Sequence, residues 1–307
     1  MSHITAGDIF PIATKSESVY GTPTGTYAYY ADVKGDGGSF TPLDNPNPYV
    51  AWKGGQRNYN ITDYVPTNYE AGYTDVLEVM DKAGWEAILT NALGSTDNSL
   101  IQFLPSRTTA ISVQKGDYTA QYDTLTYYGC KTDRLEIRAD QPGGVVEFDE
   151  TVMASYSAKS SGASPAVAAS NTHPAVQWVG GVLIDNTAIY PQNLRLSINN
   201  NLGRVKGPVT ANSGKAGTVG LVEGRIEAEL QMDVWMEDLG AINENGPGFT
   251  GPAQSHLVEF TLGIANAVDV RVNCYYMADG QHPGLIQDKQ IQTLRFRASE
   301  IEYTVQS

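Results

Sequence analysis

An alternation of apolar and mostly charged residues over positions 226–236 constrains the fold more than any other feature of the sequence. The apolar positions are Ile226, Ala228, Leu230, Met232, Val234 and Met236. Successive side chains of a strand point to opposite faces, so this period of two predicts a β-strand with one face in a hydrophobic core. The residues between them, in the stretch EGRIEAELQMDVWMED, are strongly acidic, which a solvent-exposed face alone does not require.

Similar β-like runs, separated by turns rich in Gly and Pro, fill most of the 307 residues and predict a mainly β fold. One segment, KAGWEAILTNALG, predicts an α-helix instead. Its residues Trp85, Ile88, Leu89 and Ala92 recur at helical spacing, and Gly94 is placed to end the helix.

The chain divides by composition into four parts. Residues 1–45 are rich in Gly, Pro, Ser and Thr and predict an extended arm with little core of its own, and residues 156–175 predict a linker. Residues 46–155 and 176–307 repeat one order of elements: strand, long loop, long strand, connector, then a run of strands. We therefore predict a tandem duplication, with residues 202–222 as the long Gly-rich loop of the second half.

The net charge of −14 and the pI of about 4.6 argue against tight binding to phosphate backbones. An acidic surface allows nucleic acid to pass without sticking, although simple solubility explains the charge equally well. Cys130 and Cys274 lie in apolar, strand-like runs, which predicts buried free thiols. No window is apolar enough for a membrane span, and the N-terminus lacks the features of a signal peptide.

No constellation of residues in the sequence indicates catalysis. The four histidines are scattered, and SGKAGT at 213–218 lacks the first glycine and the Ser or Thr of a phosphate loop. DVKGDGG at 32–38 lacks the spacing of a calcium loop. We therefore predict that the chain is not an enzyme and has no cofactor and no metal site.

The segment TYYGCKTDRLEIRADQPGGVVEFDETVMA resembles a signature of tail tube proteins of long-tailed bacterial and archaeal viruses. NLRLSINNNLGRV followed by GRIEAELQMDVWMED is similar to a second segment of that family, and YTDVLEVMDKAGWEAILTNALGS to a third. SESVYGTPTG resembles the family's opening, whereas the insertion around residues 25–47 departs from its pattern. These segments occur in the family's order.

The resemblance implies two packed antiparallel sheets, in a tail-tube-type sandwich or barrel, with a flanking helix. It implies a structural virion protein, made in the host cytoplasm, whose rings stack into the hollow tail tube that delivers viral DNA. Its partners would be further copies of itself and the tail tip or baseplate and tail terminator proteins, without membrane contact and with DNA passing unbound. If each half is one tube fold, a ring of three chains has pseudo-sixfold symmetry, which we prefer to a hexamer.

The resemblance also assigns roles to charged residues. The candidates for the acidic lumen face are Glu223, Glu227, Glu229, Asp233 and Glu237. The matching strand of the first half contributes weaker candidates, which are Glu70, Asp75, Glu78 and Asp81. The candidates for contact with the next ring, in the loop of the second half, are Arg204, Lys206 and Lys215.

Two alternatives remain open from the sequence. Another ring-forming virion component, such as a baseplate or head–tail connector part, would share the architecture but form a single closed ring. A β-sandwich that binds or cuts polysaccharide would use the tyrosine pairs Tyr127-Tyr128 and Tyr275-Tyr276 for stacking, although the chain has no tryptophan cluster.

Overall fold

The computed structural model describes residues 12–33, 41–43, 45–50, 64–78, 82–94, 103–114, 122–161, 178–208, 216–235, 255–262, 268–277 and 291–305. The first ten strands are β1 (Ile12–Val19), β2 (Thr22–Pro23), β3 (Ala28–Val33), β4 (Thr41–Pro42), β5 (Asn45–Val50), β6 (Tyr64–Glu78), β7 (Arg107–Gln114), β8 (Tyr122–Ala139), β9 (Glu147–Ala154) and β10 (Tyr156–Ser161). The later ones are β11 (Trp178–Ile184), β12 (Thr187–Ile189), β13 (Asn193–Asn199), β14 (Gly203–Pro208), β15 (Ala216–Val222), β16 (Glu227–Trp235), β17 (Ser255–Leu262), β18 (Val268–Tyr276) and β19 (Ile291–Val305). The helix is α1 (Lys82–Leu93), so the predicted mainly β class with a flanking helix is confirmed. Within these residues, no helix is long and apolar enough to cross a membrane.

Six antiparallel strands, from the predicted arm and the first half, close on one another as a barrel. β8 pairs with β9 and β7, β9 with β6, β6 with β3, β3 with β1, and β1 with β7. β8 can pair with both β7 and β9 because it changes partners along its length, near Gly129. That residue has a φ of 64°, and a Cβ there would lie 2.7 Å from the Tyr20 ring, so only glycine fits without strain.

The second half extends the same sheet from β8. β13 pairs with β8, and the order then continues through β16, β19, β18, β17, β11 and β12, each antiparallel to its neighbour. Strands of both halves are thus hydrogen-bonded in one sheet, and their buried side chains form one core. The division into two tube folds stays a prediction.

The helix α1 packs across this core as its amphipathic spacing predicts. Trp85, Ile88 and Leu89 are buried, and the Trp85 ring meets Phe148 of β9 edge-on at 4.7 Å. At its C-terminal end, Gly94 takes a φ of 84° and its amide donates to the carbonyl of Thr90, which confirms the predicted stop. Cys130 and Cys274 are buried free thiols, as predicted.

A charged cluster lies inside the barrel of the first half. Arg107 Nη2 is 2.8 Å from Glu150 Oε1, and Tyr30 donates to the same carboxylate at 2.9 Å. Asp75 is the cross-strand partner of Glu150, and neither of its oxygens has a hydrogen-bond partner. Burial, then the charge of Glu150, raises the pKa of Asp75 well above its usual range. The single guanidinium of Arg107 thus pairs with Glu150, while burial beside Glu150 favours the neutral form of Asp75.

Three sequence predictions need correction at this level. Within the predicted arm, residues 12–33 form β1, β2 and β3 and bury Ile12, Tyr30 and Ala31, because these strands complete the barrel. Residues 156–161 of the predicted linker form β10, which pairs with β8. Asp75, a weaker lumen candidate, points into the barrel core instead.

Candidate functional site

The sheet that joins the two halves has one apolar face in the core and one charged face, which we call the polar face. Alternation and register place the same side of β9, β8, β13, β16, β19, β18 and β17 on it, since directly paired residues share a face. Among the described residues its carboxylates are Glu136, Glu147, Asp149, Glu227, Glu229, Asp233, Glu259, Asp269, Glu300 and Glu302. Its cations are Lys131, Arg134, Arg138, Arg195, Arg271, Arg295 and Arg297. The polar face therefore carries more negative than positive charge.

The strand β16 supplies the acidic candidates that the sequence singled out. Its residues Ala228, Leu230, Met232 and Val234 are buried, as the alternation predicted. Glu227 and Glu229 lie on the polar face beside a cleft of about 470 Å³, and Arg297 and Arg134 line the same cleft. Glu227 is exposed, with its carboxylate 3.8 Å from the Arg297 guanidinium.

The other acidic candidates have different surroundings. Asp233 accepts hydrogen bonds from Asn193 Nδ2 and Thr293 Oγ1, both at 2.6 Å, and so ties β16 to the strands on either side. Glu223 precedes β16 and accepts from Lys131 Nζ at 2.6 Å and from the Leu104 amide at 3.0 Å. Glu237 lies outside the described residues.

The sequence analysis did not identify the arginines that lie opposite residues of β16 on the neighbouring strands. Arg297 is the direct partner of Glu229, and Gln231 lies between Arg195 and Arg295. The signal was present as alternation in NLRLSIN and in TLRFRAS, where arginines fall between buried residues. What the sequence does not contain is the pairing of these strands with β16.

The predicted long loop is in part a β-hairpin, formed by β14 and β15. Arg204 fixes it to the barrel, because its guanidinium donates to the carbonyls of Ala154 at 2.9 Å and Ala71 at 2.7 Å and to Thr218 Oγ1 at 3.0 Å. Ser155 Oγ donates to the carbonyl of Thr218. The prediction that residues 202–222 form a long loop is therefore wrong for the residues of β14 and β15.

The remaining loop candidates behave differently from Arg204. The exposed Lys206 Nζ is 2.9 Å from Glu70 Oε1, and this hydrogen bond holds the pKa of Glu70 below its usual range. Lys215 lies outside the described residues. Contact of these cations with a neighbouring ring stays a prediction.

Asn200 and Asn201, directly after β13, lie next to Gly224 and Arg225, directly before β16. These contacts give a structural reason for the paired asparagines and for the Gly-Arg pair in the sequence. Asn200 Nδ2 donates to the carbonyls of Ala92 and Thr132, both at 3.0 Å, and so joins the end of α1 to β8. Asn201 has a φ of 49° and donates from Nδ2 to the Arg225 carbonyl at 2.8 Å.

The substitution Gly224→Ala is expected to lower the free energy of unfolding by about 1–3 kcal/mol, because the new methyl overpacks this junction. A Cβ at Gly224 would lie 2.5 Å from the Asn201 carbonyl oxygen. Urea denaturation followed by circular dichroism measures the loss. The matched control is Gly203→Ala, whose Cβ would lie 3.8 Å from the nearest atom, the Val222 carbonyl oxygen, and which should change stability by less than about 0.5 kcal/mol. Equal losses for the two variants would contradict the steric argument.

Within the described residues, no group of three or more His, Cys, Asp or Glu side chains is placed to hold a metal ion. A family model described as phage tail tube protein matches residues 11–267, which confirms the resemblance found in the sequence. A comparison with curated proteins gave no match.

Proposed function

Because the chain belongs to the phage tail tube protein family, we propose that it assembles as stacked rings into the hollow tail tube through which viral DNA is delivered. Membership itself implies a structural, non-enzymatic component of the virion tail that self-assembles into the tube. The proposal adds the ring stacking, the delivery of DNA, and synthesis in the host cytoplasm.

The observation that supports this function best is the polar face. It extends over strands of both halves, whereas the opposite face of the same sheet is buried with α1 in the core. Its excess of carboxylates over arginines repels phosphate, and such a wall lets DNA slide past without binding. In this proposal the polar face lines the lumen, and Glu227 and Glu229 are among its acids.

The remaining charged candidates fit the proposal in different ways. Asp233 would lie on the lumen wall while holding β16 in register, and Glu223 would lie near the wall with its charge compensated by Lys131. The hairpin of β14 and β15 would reach the next ring with Lys206 and Lys215, while Arg204 keeps its base on the barrel.

We propose a ring of three chains. A sheet that passes without a break from the first half to the second through β8 and β13 supports this stoichiometry, since each chain would contribute two adjacent sectors of the wall. Six chains would be required if the two halves together form one sector.

Negative-stain electron microscopy of the purified, concentrated chain tests the proposal, together with native mass measurement of the smallest soluble species. Hollow tubes with a regular axial repeat are the expected result, and a mass of three chains would support the preferred ring. Single closed rings would replace the tube by a connector or baseplate part. A monomer at every concentration, with binding to polysaccharide, would overturn the proposal in favour of a carbohydrate-binding sandwich.

A further inference from the structure

One carboxylate on the polar face, that of Glu136, lies among three guanidinium groups. Its Oε2 is 2.9 Å from Arg134 Nη2, and its Oε1 is 3.1 Å from Arg195 Nε and 4.0 Å from Arg138 Nε. The Glu136 side chain is only 9% exposed, whereas those of Arg134 and Arg195 are about half exposed. The buried carboxylate of Glu136 thus pairs with the exposed guanidinium groups of Arg134 and Arg195.

Two further carboxylates complete the group. Arg138 Nη2 is 3.1 Å from Glu147 Oε2 and 3.0 Å from Asp149 Oδ2. We call Arg134, Glu136, Arg138, Glu147, Asp149 and Arg195 the arginine cluster. Its three guanidinium groups and three carboxylates balance in charge.

Without its carboxylates, this cluster would be a site for phosphate. Three arginines on the adjacent strands β8 and β13 present forked donors of the kind that bind phosphate oxygens and release counterions from DNA. With the carboxylates in place, a phosphate has to break existing charge-assisted hydrogen bonds and approach three negative groups. The arrangement therefore opposes the binding of DNA.

We propose that the three carboxylates of the arginine cluster, with Glu136 as the central one, mask its three guanidinium groups and prevent them from capturing DNA phosphates. The biological meaning rests on the proposed function, since it requires that the polar face meets DNA. The masking itself is a property of the free chain, because every distance that supports it lies within one chain.

The test compares Glu136→Gln with Glu259→Gln in the purified chain. Both variants remove one negative charge from the polar face, but Glu259 pairs with a single arginine, with Arg271 Nε 2.8 Å from its carboxylate. Fluorescence anisotropy with a labelled double-stranded DNA fragment at about 50 mM salt measures the affinity. We expect Glu136→Gln to bind about tenfold more tightly than Glu259→Gln and with a steeper salt dependence. The double variant Glu136→Gln/Arg195→Gln should lose this gain in DNA affinity.

Equal DNA affinity of the two folded single variants would overturn the masking. If circular dichroism shows that Glu136→Gln does not fold, Glu147→Gln/Asp149→Asn releases Arg138 while Glu136 stays in place. Its control, Glu300→Gln/Glu302→Gln, removes the same charge elsewhere on the face and leaves Arg271 paired with Glu259. Equal affinity of these two double variants would also overturn the masking. Failure of the wild-type chain to form tubes would contradict the proposed function but leave these comparisons valid.

Discussion

Arg107→Met is expected to lower the free energy of unfolding by about 3–5 kcal/mol at pH 7, because it leaves a buried carboxylate without its cation. Arg107 is 3% exposed, and its guanidinium donates to Glu150 and to Thr132 Oγ1 at 3.0 Å and lies over the Tyr30 ring. After the substitution, the buried carboxylate of Glu150 loses the cation that compensates its charge.

Urea denaturation of the smallest soluble species, followed by circular dichroism at pH 7, measures this effect. Arg271→Met is the surface control, because its partner Glu259 is solvent-accessible and such pairs contribute about 0–1 kcal/mol. A loss for Arg107→Met no larger than for Arg271→Met would contradict the account of the buried cluster.

Asp75→Asn is the matched control inside the barrel, because burial beside Glu150 raises the pKa of Asp75 and favours the neutral form, which asparagine resembles. Its folded pKa is raised, so its contribution to stability is fully present below the ordinary pKa of an aspartate and is lost as the pH rises toward the folded value. At pH 7 the variant should be as stable as the wild type or more stable, and its stability should fall less with rising pH. A large loss at pH 7 would show that the charged form of Asp75 is required.

Glu227→Lys/Glu229→Lys is expected to leave assembly intact and to lower the number of plaque-forming units per assembled particle on the order of tenfold or more. The two lysines would join Arg134 and Arg297 around one cleft and turn it from mixed to strongly positive. Passing phosphates would then be held at the wall instead of being repelled. Asp233 is left unchanged because its bonds to Asn193 and Thr293 hold the strand register.

Particle counts by electron microscopy and plaque titres measure the two parts of this prediction separately. Glu227→Gln/Glu229→Gln should give an intermediate defect, since it removes the repulsion without adding attraction. Asp140→Lys, at the exposed turn after β8 and outside the cleft that Glu227 and Glu229 line, is the control for reversing one charge elsewhere and should give a smaller defect. Loss of tubes in the Lys double variant would place Glu227 and Glu229 at a subunit contact and contradict their lumen position.

Local patterns predicted the local elements of this fold. The alternation in β16 predicted its buried face, and the spacing of Trp85, Ile88 and Leu89 predicted α1 together with its stop at Gly94. These predictions succeed because a period of two or of 3.6 residues is a direct consequence of strand or helix geometry.

Long-range pairing accounts for what the sequence did not predict. Arg297 lies 68 residues after Glu229, yet the two are direct partners in the sheet, so the composition of the polar face depends on register rather than on any single strand. Asp75 lies in a strand whose alternation is irregular, and only closure of the barrel by β1 and β3 places its carboxyl in the core.

A cryo-electron microscopy reconstruction of the assembled tube would show whether the polar face lines the lumen, because it gives the distances of Glu229 and of helix α1 from the tube axis. We expect Glu229 and the rest of the polar face to lie at the inner radius, next to the lumen, and α1 to lie farther out. A reconstruction in which α1 lies nearer the axis, or in which the polar face is buried between subunits, would contradict this expectation.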